Sequence, residues 1–195
     1  MRDAGIGRLL VASLHQGIAD RLPDRLEFYE NWLNPRGLRD GTIGLAPLHA
    51  VLSFLRTEGE DYGRVTSTAG AFAAEWAVSE LSSLHRWAAT SLPGPVRRHL
   101  ALGVARSLIV RAYTGSRTTL SIRKRVGTLE IRNSIFCGVR DRAPAPLCQF
   151  HAAAVARVLK ELRQPAIVTI VACQATGDGV CRVQIDMTEA AAEQA

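Results

Sequence analysis

Four cysteines are the residues of this 195-residue chain best suited to chemistry. Two of them, Cys173 and Cys181, enclose the short glycine-containing stretch CQATGDGVC, and Cys148 precedes them along the chain. Thiolate sulphur is a preferred ligand of Zn²⁺, which binds four ligands in a tetrahedral array. Cysteine is also often buried as a small hydrophobic residue, and it forms disulfides in oxidising compartments. The spacing of this pair, with seven residues between its members, leaves all three interpretations open.

A zinc site built on Cys148, Cys173 and Cys181 needs a fourth ligand, and the sequence offers two candidates. His151 follows Cys148 by three residues, so a helix would place both side chains on one face. Cys137 ends the sequence NSIFC, after a predicted strand. Since the helix itself brings His151 to Cys148, we expect His151 rather than Cys137 to be the fourth ligand.

The cysteine pattern resembles that of a known family. The stretch CQFHAA, which starts at Cys148 and opens a predicted helix, is followed by C-x-A-x-G-D-x-x-C between Cys173 and Cys181. Together they resemble the 4-vinyl-reductase domain over roughly residues 117–186. The family has a TRAPP-like α+β fold and is named after 4-vinyl reductases of bacteriochlorophyll biosynthesis. It also provides the ligand-sensing domains of bacterial regulators that respond to phenols and related aromatic compounds.

The resemblance implies a zinc site beside a ligand site. In the phenol sensors of the family, three cysteines and a glutamate bind zinc next to the aromatic ligand. Cys148, Cys173 and Cys181 match the three cysteines, whereas Ile170 stands where the glutamate would be. Given this departure, either His151 or Cys137 replaces the glutamate as the zinc ligand, or the site holds no metal. The resemblance also implies a ligand that is aromatic or tetrapyrrole-like. It also implies a homodimer, because TRAPP-like domains commonly pair.

The secondary structure predicted to position the cysteines falls into two halves, one helical and one mainly of strands. Apolar residues at helical spacing predict helices at 4–21, 26–33, 45–57, 62–82 and 96–113. Alternation with a period of two predicts strands at 118–123, 128–132, 168–172 and 180–185, with a helix at 147–162 between the second and third. Val126-Gly127 is interpreted as the turn between the first two strands.

This order of elements predicts an α+β fold with an antiparallel sheet. Residues 1–115 form the helical half of a single domain, residues 116–188 form a β-β-α-β-β half that carries the cysteines, and residues 189–195 form a tail.

Positive charge is concentrated in one part of the chain, which has a net charge of +6. No Asp or Glu occurs between Leu81 and Leu129, whereas this window holds nine cations. We expect Arg123 and Arg125 to lie on one face of a predicted hairpin and to bind an anionic group of a ligand or partner. Sequence-specific DNA binding is not expected, because the window shows no helix-turn-helix pattern.

Aromatic and histidine side chains of the helical half are candidates for lining a ligand pocket. They are Trp32, His49, Phe54, Phe72 and Trp76. His85 and His99 flank the basic window and are candidates for binding a tetrapyrrole metal or a carboxylate.

The sequence favours a binding domain over an enzyme. It contains no nicotinamide- or flavin-binding fingerprint, no P-loop and no G-x-S-x-G motif. We therefore expect a non-catalytic sensor or carrier of a small aromatic or tetrapyrrole-like molecule. The alternatives are a reductase acting on a tetrapyrrole vinyl group with electrons from a partner, and a regulatory or assembly module. No apolar run reaches the roughly 20 residues of a membrane span, and we expect a cytoplasmic protein.

Overall fold

The computed structural model describes residues 6–33 and 44–188. The predicted tail at 189–195 lies outside these residues. Within the described ranges, no helix combines the length and the apolar character needed to cross a membrane.

Helices make up the first half of the described chain. They are α1 (Arg8–Arg21), α2 (Leu26–Glu30), α3 (Leu45–Thr57), α4 (Glu60–Ser79), α5 (Ser83–Ser91) and α6 (Gly94–Ala112). The predicted helix at 62–82 thus ends earlier than expected, and α5 was not predicted. The Ser82 side chain caps α5 by accepting a hydrogen bond of 3.3 Å from the backbone N–H of His85. Such a serine is a usual signal for the start of a helix.

Strands and one helix make up the second half. They are β1 (Arg117–Arg123), β2 (Val126–Arg132), α7 (Gln149–Glu161), β3 (Ile167–Ala172) and β4 (Cys181–Asp186). The four strands form one antiparallel sheet in the order β1-β2-β4-β3. The predicted α+β fold, with a helical part followed by β-β-α-β-β, is confirmed.

The long helix α4 packs between α1 and α7, and two glycines allow the close approach. A side-chain carbon at Gly17 would lie 2.7 Å from the carbonyl oxygen of Val65, and one at Gly70 would collide with the carbonyl oxygen of Phe150. Because glycine lacks a Cβ, these helices can approach each other closely. Because Cys148 immediately precedes α7, the packing of α7 on α4 fixes the position of that cysteine.

The β1–β2 hairpin turns two residues earlier than predicted. Arg123 pairs with Val126, so Lys124 and Arg125 form the turn, and Lys124 adopts a positive φ of 58°. Gly127 lies inside β2, opposite Ile122, where the Leu102 side chain of α6 packs against it. The interpretation of Val126-Gly127 as the turn was therefore wrong, because this glycine makes room for a helix rather than for a chain reversal.

Candidate metal centre and adjacent cleft

The four cysteines come from four different parts of the fold. Cys137 ends a short 3-10 turn after β2, and Cys148 lies directly before α7. Cys173 follows β3, and Cys181 is the first residue of β4. All four are buried. The fold therefore brings these cysteines together at one point in the interior, although they lie up to 44 positions apart in the sequence.

The sulphur atoms have the spacing of a tetrahedral metal site. The four Sγ atoms all lie within 4.8 Å of one another. Cys137 Sγ is 3.3 Å from Cys181 Sγ and 3.5 Å from Cys173 Sγ, and none of the four thiols is in a disulfide. A zinc ion with Zn–S bonds of about 2.3 Å separates its sulphur ligands by about 3.8 Å. The donor set and its dimensions thus fit zinc after a small outward adjustment.

Backbone amides point at two of the sulphurs. The N–H of Leu147 donates to Cys173 Sγ at 3.4 Å, and the N–H of Gln174 donates to Cys181 Sγ at 3.4 Å. Hydrogen bonds of this kind stabilise negative charge on a thiolate, as groups around a metal ligand commonly do. The surroundings of Cys173 and Cys181 are therefore suited to the charged form that binds metal.

The pKa values of the cluster thiols shift in opposite directions. Hydrogen bonds with Cys137, Cys173 and Cys181 raise the pKa of Cys148 above its ordinary value. Hydrogen bonds with Cys137 and Cys148 lower the pKa values of Cys173 and Cys181. Both shifts favour the thiolate form of Cys173 and Cys181, which a bound divalent cation would stabilise further.

The turn between Cys173 and Cys181 is held by a carboxylate. Asp178 Oδ2 accepts hydrogen bonds from the Cys173 N–H at 2.9 Å and from the Thr176 hydroxyl at 3.2 Å. Gly177 has a φ of 108°, which residues with a side chain rarely adopt. The Gly-Asp pair in the sequence motif therefore closes the turn that sets the two cysteines beside each other.

Replacing Asp178 with alanine is expected to weaken zinc binding by roughly 10- to 100-fold, as losses of groups that orient metal ligands do. The Cys173 N–H would lose its acceptor, so the turn would hold its sulphur less firmly. Competition with a chromophoric chelator measures the affinity, and Asp178→Asn, which keeps an acceptor oxygen, is the matched control. An alanine variant with wild-type zinc affinity would contradict this role of the turn.

His151 is not part of the sulphur cluster. Its Nε2 lies 2.9 Å from the Ser134 hydroxyl, and its ring packs edge-on against Phe136 and Phe150. Burial lowers its pKa to about 4, so the imidazole is neutral at pH 7. The structure groups Cys137 with the other three cysteines and does not group His151 with them. Which of the two residues is the fourth ligand stays a prediction.

A cleft of about 560 Å³ lies beside the cluster. Its helical side is formed by Arg56, Gly59, Glu60 and Tyr62. Its other side is the segment between two of the cysteines, which contributes Val139, Asp141, Ala143, Pro144, Ala145 and Leu147. We call residues 138–147 the cleft loop. Sequence reasoning did not single out Arg56 or Tyr62, which are separated from the cysteine motif by more than 70 residues.

Hydrogen bonds tie the cleft loop to both of its neighbours. The Tyr62 hydroxyl donates to the carbonyl of Leu147 at 3.0 Å. Just before the loop begins, Arg56 Nη2 donates to the carbonyl of Phe136 at 3.1 Å. On the sheet side, the N–H of Ala143 donates to the carbonyl of Ala175 at 2.8 Å. The wall of the cleft is thus attached to the helices and to the turn that carries Cys173.

Comparison with known proteins identifies the region that holds the cluster. The family model of the 4-vinyl-reductase domain matches residues 128–187, which include all four cysteines. In this region the chain is similar to a 4-vinyl-reductase domain. The cleft extends beyond the matched residues of this domain, because Arg56 and Tyr62 precede them.

One solved structure with a similar arrangement is that of the phenol-responsive sensory domain of the transcription activator PoxR with phenol. It is 16% identical to this chain, with a TM-score of 0.48, over 77% of this chain and 79% of that chain. A search of curated protein sequences found no match.

The aromatic residues predicted to line a pocket lie outside this cleft, in separate groups. Trp32 and Phe54 pack on each other at 5.7 Å and are both partly exposed. Phe72 stacks on Trp76 at 5.9 Å along α4. His49 is exposed on α3, next to Gly138 at the start of the cleft loop. In the part of the chain that the structure describes, no ring contact joins the two aromatic pairs.

The cationic and histidine candidates are also dispersed. Arg123 ends β1, whereas Arg125 lies in the turn and has contacts of its own. The expectation that alternation along a strand would align them was wrong, because the chain reverses between them. His85 and His99 are exposed on α5 and α6, where their rings bond to Ser82 and to the Pro95 carbonyl. Whether any of them binds a ligand stays a prediction.

Proposed function

We propose that this chain binds a small apolar molecule, as a sensor or carrier, in the cleft beside a four-cysteine zinc centre. The observation that carries this proposal is the path of the cleft loop. The loop begins directly after Cys137, ends directly before Cys148, and forms one wall of the cleft in between. A metal held by the cluster would therefore fix both ends of the binding wall.

Zinc in this centre would have a structural role. Cys137, Cys148, Cys173 and Cys181 would supply all four ligands, which leaves no coordination position for water or substrate. Bound zinc supplies a rigid tetrahedral link between segments that are distant in the sequence. The chain's own residues then do the binding, and the burial of all four cysteines keeps solvent from the thiolates.

The shape and lining of the cleft favour a compact apolar ligand. Its volume falls within the roughly 300–1,000 Å³ of small-molecule sites. Aliphatic side chains cover most of the loop side, and Tyr62 and Arg56 supply polar groups from the helical side. This combination suits an aromatic ring system with one polar substituent.

The other expectations stay predictions. They are a tetrapyrrole ligand, reductase activity with electrons from a partner, a regulatory or assembly role, a homodimer and a cytoplasmic location. An absorption spectrum and native mass spectrometry of the purified protein would detect a bound pigment and the number of subunits.

Filling the cleft is expected to abolish ligand binding. In the Ala143→Trp variant, the larger side chain would occupy space that the half-buried alanine leaves open. We expect the apolar fluorescent dye N-phenylnaphthylamine to bind the wild type and to lose at least roughly tenfold in affinity in this variant. Ala46→Trp, at an exposed site on α3, is the matched control and should bind as the wild type does. Equal dye binding by all three proteins would overturn the proposed site.

A further inference from the structure

Arg56 is a cation in a largely aliphatic cleft, and no carboxylate among the described residues pairs with it. It lies near the end of α3, lines the cleft and is half-buried. One of its nitrogens, Nη2, donates to the Phe136 carbonyl. Its Nε is buried and has no hydrogen-bond acceptor among the residues that the structure describes. Part of the hydrogen-bonding capacity of this guanidinium is therefore unused.

The carboxylates around the cleft do not neutralise Arg56. Two of them line it, Glu60 and Asp141, and both are exposed. Glu60 pairs instead with Arg64 at 3.8 Å, and within residues 6–33 and 44–188 no ion pair involves Arg56. By contrast, the half-buried Arg157 bonds to Glu75 and Glu161, each at 2.9 Å. A partly buried charge is costly without a partner, and Arg56 has no ionic partner among the described residues, which suggests an anion from a bound ligand.

Tyr62 does not compete for that anion. Its hydroxyl hydrogen is engaged by the carbonyls of Leu147 at 3.0 Å and Phe136 at 3.4 Å, and its oxygen accepts a hydrogen bond from the Arg56 side chain. An anionic group entering the cleft would therefore find its donors on Arg56. The planar guanidinium can bind a carboxylate or sulfonate through two parallel N–H bonds, which gives both affinity and orientation.

We propose that the cleft selects apolar molecules that carry an anionic group, such as aromatic acids, and that Arg56 binds this group. This inference rests on the proposed function, since it needs the cleft to be a ligand site. It adds the charge of the ligand, because the aliphatic loop wall faces the apolar part while Arg56 faces the acid.

Two dyes with the same ring system test the proposal. Anilinonaphthalene sulfonate carries one sulfonate, and N-phenylnaphthylamine is its uncharged counterpart. We expect wild-type protein to bind the sulfonate roughly 10- to 100-fold more tightly than the neutral dye, as charge-assisted hydrogen bonds allow. Arg56→Met should remove this preference and leave the affinity for the neutral dye within about twofold. Arg56→Lys keeps the positive charge but not the paired N–H donors of the guanidinium, so it should retain part of the preference.

Controls separate this inference from the proposed function. Arg8→Met removes a cation from an exposed site on α1 and should keep the wild-type preference. Equal binding of both dyes by wild type, or an unchanged preference in Arg56→Met, would overturn the role of Arg56 while leaving the cleft as a ligand site. Sulfonate binding that survives in Ala143→Trp would place the anion elsewhere and overturn the inference. If wild type binds neither dye, the proposed function itself fails.

Discussion

Replacing Cys137 with serine is expected to remove most of the bound zinc, whereas replacing His151 should leave the zinc in place. Cys137 Sγ lies 3.3 and 3.5 Å from two other cluster sulphurs, while the His151 ring bonds to Ser134. Loss of one of four thiolates should lower the zinc affinity by at least roughly a hundredfold. Because metal binding is coupled to folding, the melting temperature should fall together with the metal content.

This test needs variants whose effect on metal binding can be told apart from their effect on packing. His151→Gln keeps a hydrogen-bonding group for Ser134 and is the better variant, since His151→Ala would also leave a hole beside the stacked rings of Phe136 and Phe150. Metal content by mass spectrometry and thermal melts of the same samples separate the two effects. The opposite pattern, with zinc lost in His151→Gln and kept in Cys137→Ser, would show that the histidine is the ligand.

Zinc removal is expected to weaken ligand binding in the cleft by at least roughly tenfold. Without the metal, the two ends of the cleft loop are held only by protein contacts, so binding must also bear the cost of ordering residues 138–147. Titrating N-phenylnaphthylamine into protein treated with a chelator, and again after zinc is restored, measures this effect. Circular dichroism of the same samples shows whether the metal-free chain stays folded.

The coupling can also be measured in the opposite direction, from the effect of the dye on zinc affinity. Ligand and metal must affect each other's affinity by the same factor. Saturating dye should therefore raise the zinc affinity of the wild type. The factor should equal the one by which zinc raises the affinity for the dye. In Ala143→Trp, which is expected not to bind the dye, this effect should vanish. Zinc affinity that is independent of dye in the wild type would contradict the coupling.

The fold could be predicted from the sequence because its elements are marked locally. Alternating apolar residues indicate the strands, and the Pro-Ala-Pro segment indicates that α7 follows. The β1–β2 turn could not be predicted in the same way. Glycine is common in turns, but Gly127 lies inside β2, where the Leu102 side chain of α6 packs against it. Local propensity is overridden where a tertiary contact needs the space.

The metal centre was only partly predictable. Cys148, Cys173 and Cys181 are marked by their motif, and the structure brings their sulphurs together. Cys137 was ranked second because its approach depends on the cleft loop, whose path no spacing rule gives. His151 was ranked first because helical spacing places it near Cys148, but the rotation of α7 turns its ring toward Ser134. Nor could the sequence reveal the cleft, since Arg56 and the cleft loop come to line it together only through long-range packing.

The most direct test of the four-cysteine centre is X-ray absorption at the zinc edge on the purified wild-type protein. The arrangement of Cys137, Cys148, Cys173 and Cys181 predicts four sulphur neighbours at about 2.3 Å and no nitrogen neighbour. A shell of three sulphurs with one nitrogen at about 2.0 Å, or protein that binds no zinc when supplied with it, would contradict the account.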